Sequence, residues 1–491
     1  MIEKLTQIPI TESSKPFAAA AKTCKFDEIG YIEEEFFMKG TANIYEEGES
    51  GKPITIFEGA PYTTRLLVRR PKDISKFSGN VVYEILNSTA GIDIDRMWVN
   101  SWPFFTRNGD IYVGITSKGH VVDSLLKFDP QRYAPINWAN PMPDRPTPPG
   151  AVMTGLFRFL PQFESGLFWD MLTDLARLLK SDDPMNPIAA YPDRHIFLTG
   201  WSQSGFYIAR YLKSFYDTSD ILFAGYLSAG SGAYPAPLNA YEDQLPSFGP
   251  RGSLPVGSML GAPEPVIAVN TESENRMVYW QGDFDEPGFK FRTYQIAASS
   301  HDTKYNLLDY YGEEGLAELS RIGISNGYSG VDGNPLDYPC EVIYNAAFYH
   351  LYGWARLGIP APHAPKIDTY IAYEKSTDPM GSYVDNRRDL FGNCMGGIRT
   401  PAVDYPTGTY TSFSASKDDG AGSIFGTVNP MFGKVNPFSK EMLKQLYGDI
   451  DNYRRLVTKG TDLVIAQGFI LADDRDDFIE QVVQTAVARG L

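Results

Sequence analysis

The sequence predicts an α/β fold: a mostly parallel, eight-stranded sheet with helices on both faces, insertions over its carboxyl edge and a C-terminal extension. Three observations carry this. Strand-like runs recur along the first two-thirds of the chain, the later ones are apolar almost throughout, and one of them runs directly into a tight turn and a helix.

Eight runs rich in β-branched and aromatic residues lie at 31–45, 62–68, 80–86, 110–116, 195–199, 223–228, 265–269 and 291–297. The first two alternate polar with apolar residues, as an antiparallel edge with one wet face requires. The runs VVYEIL, IYVGIT, HIFLTG and PVIAVN lack that alternation and suit parallel strands covered on both sides. In GLFWDMLTDLARLLKSDD, residues Leu167, Phe168, Met171, Leu172, Leu175, Leu178 and Leu179 recur at helical spacing, the buried stripe of a core helix. The proline-dense NWANPMPDRPTPPGAV and the glycine- and proline-rich SAGSGAYPAPLNAYEDQLPSFGPRGSLPVG predict irregular cap insertions around 117–165 and 230–262. GIPAPHAPKID separates an expected core, 1–364, from an extension, 365–491, with helical patterns around 438–446 and 474–489. The extension is expected to pack on the core.

Composition narrows the partners. The chain has 491 residues, 43% hydrophobic and 21% charged, with a formal net charge of −16. Such a surface repels nucleic acid and anionic membranes on average, so neither is an expected partner. No N-terminal run resembles a secretory signal, and no window approaches the roughly 18 apolar residues of a membrane span. Cys24, Cys340 and Cys394 are odd in number and widely spaced, which predicts a reducing compartment, the cytoplasm. No histidine cluster or phosphate-binding loop occurs, so no metal or organic cofactor is expected. Asp283, Asp285 and Glu286 lack cation-loop spacing and read as a solvated turn.

The chemistry is concentrated in HIFLTGWSQSGFYIARYLKSF. A buried strand enters Gly200-Trp201-Ser202-Gln203-Ser204-Gly205, and a helix with Gly205, Ile208, Ala209, Leu212 and Phe215 on one face follows at once. This is the context of a nucleophile elbow, the turn of the α/β-hydrolase fold, although Ser204 stands where glycine is usual. Residues two before and two after the nucleophile must be small. Gly200 and Ser204 satisfy this around Ser202, whereas Phe206 would violate it around Ser204. Ser202 is therefore the predicted nucleophile and Ser204 a helix cap.

In that fold the triad runs Ser, acid, His along the chain. Of the five histidines, His195 opens a strand, His350 lies in an amphipathic helix, His363 in a linker, and His120 precedes the serine. His301, after the last core strand, remains as the base. For the acid, PVIAVNTESEN offers Glu274 at the usual offset, with Glu272 as the alternative. The oxyanion hole is expected from the backbone of Gln203 and from Asn87 or Ser88 in EILNSTAG. Trp201 and Arg399 are further candidates for substrate contact, although arginines more often brace loops.

The stretches EILNSTAGID, LLKFDPQRY, GWSQSG, VNTESE, SSHD and GNCMGGIRTPAVDYPTGTY together resemble the α/β-hydrolase domain-containing proteins of bacteria and fungi, which carry a G-x-S-Q-S elbow. The resemblance covers most of the chain. It implies hydrolysis of a small-molecule ester by a serine triad, carried here by Ser202, Glu274 and His301. A lactonase, an acyltransferase or a non-catalytic binding protein on the same fold are the alternatives.

Overall fold

The structure, a computed structural model, describes residues 1–17, 23–49, 51–147, 151–152, 157–241, 258–259, 261–275, 282–325, 332–371, 384–415, 428–429 and 431–491. Much of the expected cap around 230–262, and parts of that around 117–165, lie outside the described residues. The chain divides into two compact units. One comprises Met1–Val266, Glu286–Lys290 and Tyr311–Ile324, the other Ile267–Asp285, Phe291–Tyr310 and Ser325–Leu491.

In the first unit, strands β1 (Ile2–Ile8), β2 (Tyr31–Glu47), β3 (Pro53–Pro71), β4 (Asn80–Ile85), β5 (Ile111–Ile115), β6 (His195–Trp201) and β7 (Gly225–Ala229) take the order β1-β2-β3-β5-β4-β6-β7. The alternating runs form the antiparallel side, where β2 and β3 make a long hairpin from Tyr31↔Pro71 to Glu47↔Pro53. From β5 onward the pairs are parallel: β4 with β5, β4 with β6, and β6 with β7. Every residue of β4, β5 and β7 is buried, which is why these strands show no alternation.

Helices α1 (Arg96–Asn108), α2 (Phe168–Lys180) and α3 (Gln203–Arg210) belong to the same unit. The predicted stripe of α2 is buried throughout, from Leu167 to Leu179. Strand β1 was not anticipated. Its IEKLTQI is a largely exposed edge, and edges tolerate charge that masks their pattern.

Strands β8 (Pro265–Thr271), β9 (Phe284–Glu286) and β10 (Phe289–Ile296), most of whose residues belong to the second unit, take the order β8-β10-β9. The short β9 was likewise not among the eight strands expected. Helices α4 (Glu341–Leu357), α5 (Lys440–Tyr447), α6 (Ile450–Ala466) and α7 (Arg475–Ala488) follow.

The stretch GNCMGGIRTP runs beside the end of β10: Ile398 N–H donates to the Gln295 carbonyl at 2.7 Å, and Ala297 N–H to the Ile398 carbonyl at 3.1 Å. The double glycine permits this approach. Both residues sit at φ +68°, and a Cβ would lie 2.4 Å from the Lys366 carbonyl at Gly396 and 2.8 Å from that of Gln295 at Gly397. Three short strands, Asn334–Pro335, Lys434–Pro437 and Gly408–Thr411, pair into a small sheet of this unit.

Candidate active site

In the first unit, β6 delivers Ser202 into a backbone conformation that few L-residues adopt, φ 54° and ψ −118°. Such strain persists only where the surroundings enforce it. Ser202 N–H donates to the Ala229 carbonyl at 2.7 Å, and its own carbonyl accepts from Gly205 N–H at 2.9 Å. Its side chain makes no capping bond to α3.

The small neighbours are needed for measurable reasons. A Cβ on Gly200 would lie 2.9 Å from Ser204 backbone and side-chain atoms, and one on Gly205 would meet Ser231 Cβ at 2.4 Å and Ser228 Oγ at 2.6 Å. Trp201, at the end of β6, is buried.

Ser204 does not cap the helix as expected. Its hydroxyl reaches back to the Leu86 carbonyl at 3.3 Å and accepts from Lys118 Nζ at 3.1 Å. Lys118 is buried, donates also to the Leu86 carbonyl at 3.2 Å, and lies 4.4 Å from the centre of the Tyr207 ring. Burial pushes its amine well below the ordinary lysine range, against the opposing pull of Asp93. Sequence alone missed this residue, because its partners at Leu86 and Ser204 lie 32 and 86 positions away.

The loop after β4 is fastened at several points. Asn87 N–H donates to the Ile94 carbonyl at 3.0 Å, and its side-chain amide to the Trp201 carbonyl at 2.9 Å. Ser88 Oγ donates to Gln203 Oε1 at 2.8 Å, and the His120 ring Nε2 lies 3.0 Å from the Ser88 carbonyl. Arg65 binds Asp93 at 3.1 Å, and Arg69 pairs with Asp95.

Glu84, the charge inside an apolar strand, accepts Met97 N–H at 2.9 Å, Trp98 N–H at 3.2 Å and the Tyr112 hydroxyl at 2.7 Å. It closes the N-terminal turn of α1. Burial pushes its carboxyl up to about 8 despite these bonds.

In the second unit, Glu274 lies in the turn Glu272–Asn275 that follows β8 directly. Its Oε1 lies 2.6 Å from His301 Nδ1, while Oε2 accepts Thr271 N–H at 2.6 Å and the Thr271 hydroxyl at 2.7 Å. Both side chains of the pair are at most 4% exposed. Burial raises the Glu274 carboxyl, but the His301 charge and hydrogen bond, with the two bonds from Thr271, outweigh it and hold the group below the ordinary glutamate range.

Glu272 has different work. It pairs with Arg388, accepts the Ser412 hydroxyl at 3.3 Å, and accepts Ala298 N–H at 3.1 Å. Of the two carboxylates, Glu274 is the one that touches the histidine.

Arg399 is taken up inside its own loop, by Asp404 at 2.7 Å, Asp389 at 3.2 Å and the carbonyls of Val403 and Cys394. These four bonds fit the bracing role. His350 Nε2 lies 2.6 Å from the Gly468 carbonyl, and His363 pairs with Asp283. All three cysteines are buried and free. Among the described residues, no group of three or more His, Cys, Asp or Glu is placed to hold a metal ion. No helix among them is long and apolar enough to cross a membrane.

Comparison with known proteins places the chain in a class. Residues 5–480 match the family model described as an alpha/beta hydrolase domain, and the chain belongs to that family of hydrolases. Among solved structures, it is similar to an alpha-beta serine hydrolase homologue from Coxiella burnetii, at 10% identity and a TM-score of 0.25, over 57% of this chain and 97% of that one. It is also similar to the esterase Est22, at 12% identity and 0.32, over 62% and 84%. A third is the siderophore hydrolase EstA from Aspergillus nidulans, at 14% identity and 0.24, over 60% and 84%. No curated protein matches the chain.

Proposed function

We propose that this protein is a serine esterase that cleaves a small carboxylic ester through a covalent acyl-enzyme. The observation that carries the reading is the buried 2.6 Å bond between Glu274 Oε1 and His301 Nδ1. A carboxylate on Nδ1 holds the imidazole in the tautomer whose Nε2 carries the lone pair, as a general base requires.

Ser202 is the assigned nucleophile, on its enforced positive φ. As Ser202 Oγ bonds to the carbonyl carbon, its proton passes to His301 Nε2. The imidazolium then returns that proton to the departing alkoxide as the ester C–O bond breaks. Water, deprotonated by the same nitrogen, attacks the acyl-enzyme, and the acid leaves as Ser202 regains its proton. Glu274 keeps its charge throughout and stabilises the imidazolium.

Backbone N–H groups of Gln203, which opens α3, and of Ser88 are the assigned oxyanion donors. Asn87 is the weaker of the two loop candidates, since its N–H is engaged by Ile94 at 3.0 Å. Its amide on the Trp201 carbonyl shapes the elbow instead. The assigned chemistry uses neither metal nor organic cofactor.

The test is turnover of short-chain nitrophenyl esters in the presence of EDTA. The reading expects hydrolysis by the wild type and its loss in Ser202→Ala and His301→Ala. Turnover of lactones alone would reassign the substrate class. Silence with esters, thioesters and lactones together would overturn the reading in favour of a binding role.

A further inference from the structure

The loop that carries His301 is held in place by residues distant in sequence, in the C-terminal part of the chain. Three tethers converge on residues 298–302. Ala298, at φ 59°, has its N–H on Glu272 Oε2 at 3.1 Å. Glu272 is completely buried, and its other oxygen is matched by the Arg388 guanidinium and the Ser412 hydroxyl. A buried carboxylate is tolerable only with such partners, so Arg388 is what allows Glu272 to hold the loop.

His301 N–H donates to Ser273 Oγ at 3.0 Å, and the Ser273 hydroxyl donates to the Ser412 carbonyl at 2.9 Å. Asp302 N–H donates to the Met431 carbonyl at 2.9 Å. Asn275, at the end of the acid's turn, accepts from Gln295 and donates to Asn386 at 3.0 Å.

The turn bearing Glu274 and the loop bearing His301 thus hang on one frame. Glu272 and Ser273 lie immediately before the acid, and each binds both the base's loop and the C-terminal part of the chain. The Ser273 hydroxyl bonds to backbone on both sides, accepting from His301 N–H and donating to the Ser412 carbonyl, whereas a side chain that merely filled space would not join these two segments.

We propose that Arg388 and Ser412, acting through Glu272 and Ser273, are positioning residues that set the distance and orientation of the Glu274–His301 pair. This rests on the reading of His301 as the base. The C-terminal residues never touch the substrate in this account. They make the acid and base a preorganised pair, and a displacement of about 1 Å in such a pair costs on the order of 100-fold in rate.

The experiment compares Ser273→Ala, Arg388→Met and Arg388→Lys in the full-length protein. Two readouts are taken: kcat and KM on a nitrophenyl ester, and the low-field proton resonance of the His301–Glu274 hydrogen bond. The expected result for Ser273→Ala and Arg388→Met is a fall in kcat of about 100-fold with KM within about twofold, and a shifted or broadened resonance. Arg388→Lys should recover part of both. Should Arg388→Met fail to fold, Ser273→Ala, which removes one hydroxyl, decides alone. Wild-type kcat and resonance in Ser273→Ala would overturn the proposal, as would lost activity with an unchanged resonance. The resonance needs no substrate, so a wild type without esterase activity would defeat the functional reading while leaving the positioning test intact.

Discussion

Lys118 Nζ lies 3.1 Å from Ser204 Oγ, so a buried amine sits against the second serine of the elbow rather than against a carboxylate. The nearby Asp93 is occupied by Arg65 and by the Thr116 hydroxyl. Burial depresses the amine, so between its folded pKa and the ordinary lysine value the unfolded chain binds the extra proton. This group therefore favours folding at alkaline pH, and that contribution is lost as pH falls toward its folded value. Lys118→Met, which conserves volume, should raise stability at pH 7, with the gain shrinking toward pH 10. Thermal unfolding at both pH values checks this, and a lower melting temperature at pH 7 would contradict it.

Glu84 works in the opposite sense. Its folded value is raised to about 8, so it favours folding below the ordinary glutamate pKa, and that stability is lost as pH rises through about 8. Glu84→Gln loses acceptors for Trp98 N–H and the Tyr112 hydroxyl and should be less stable at pH 5. The deficit should narrow steadily up to pH 9. A deficit independent of pH would show that Glu84 is not protonated in the fold.

Glycine at 205 should be indispensable to the packing of α3. Gly205→Ala places a methyl 2.4 Å from Ser231 Cβ and 2.6 Å from Ser228 Oγ, short side chains with little room to give. The expected cost is about 1–3 kcal/mol, read as a lower denaturant midpoint with an unchanged slope. At Gly91, where a Cβ would meet nothing within 4 Å, the same substitution leaves only the strain of φ +76°.

The proposed triad acid, Glu274, is separable from its neighbour. Glu274→Gln preserves shape but offers His301 Nδ1 no assured acceptor, and kcat should fall by roughly 10³–10⁴-fold with little change in KM. Thr271→Val should act in the same direction more weakly, because it removes one of the two bonds on Oε2. Steady-state kinetics on one ester decides both, and full activity in Glu274→Gln would remove it from the mechanism.

Much of this was legible in the sequence because it rests on local pattern. Strands buried on both faces announce themselves as apolar runs, and the elbow's size constraint is visible in Gly200, Ser204 and Phe206. Glu274, the carboxylate that lies beside His301, stands at an offset after a strand that the sequence displays. What depends on residues far apart in the chain was not legible. The partners of Ser204 and Glu272, Lys118 and Arg388, lie more than 80 positions away. Helix α6 escaped notice because its buried stripe of Tyr453, Val457, Gly460, Thr461 and Val464 includes two residues that do not read as apolar. Gly460 is there for contact: a Cβ would lie 3.0 Å from Pro401 and Tyr405.

The central claim is that Ser202 is the nucleophile, and its closest rival stands two residues away in the same peptide. Labelling the full-length protein with a fluorophosphonate, followed by digestion and fragment-ion mass spectrometry across Trp201-Ser202-Gln203-Ser204, tests it directly. The account predicts a single phosphonyl adduct on Ser202, retained in Ser204→Ala and absent from Ser202→Ala. An adduct on Ser204, or undiminished labelling of Ser202→Ala, would contradict it.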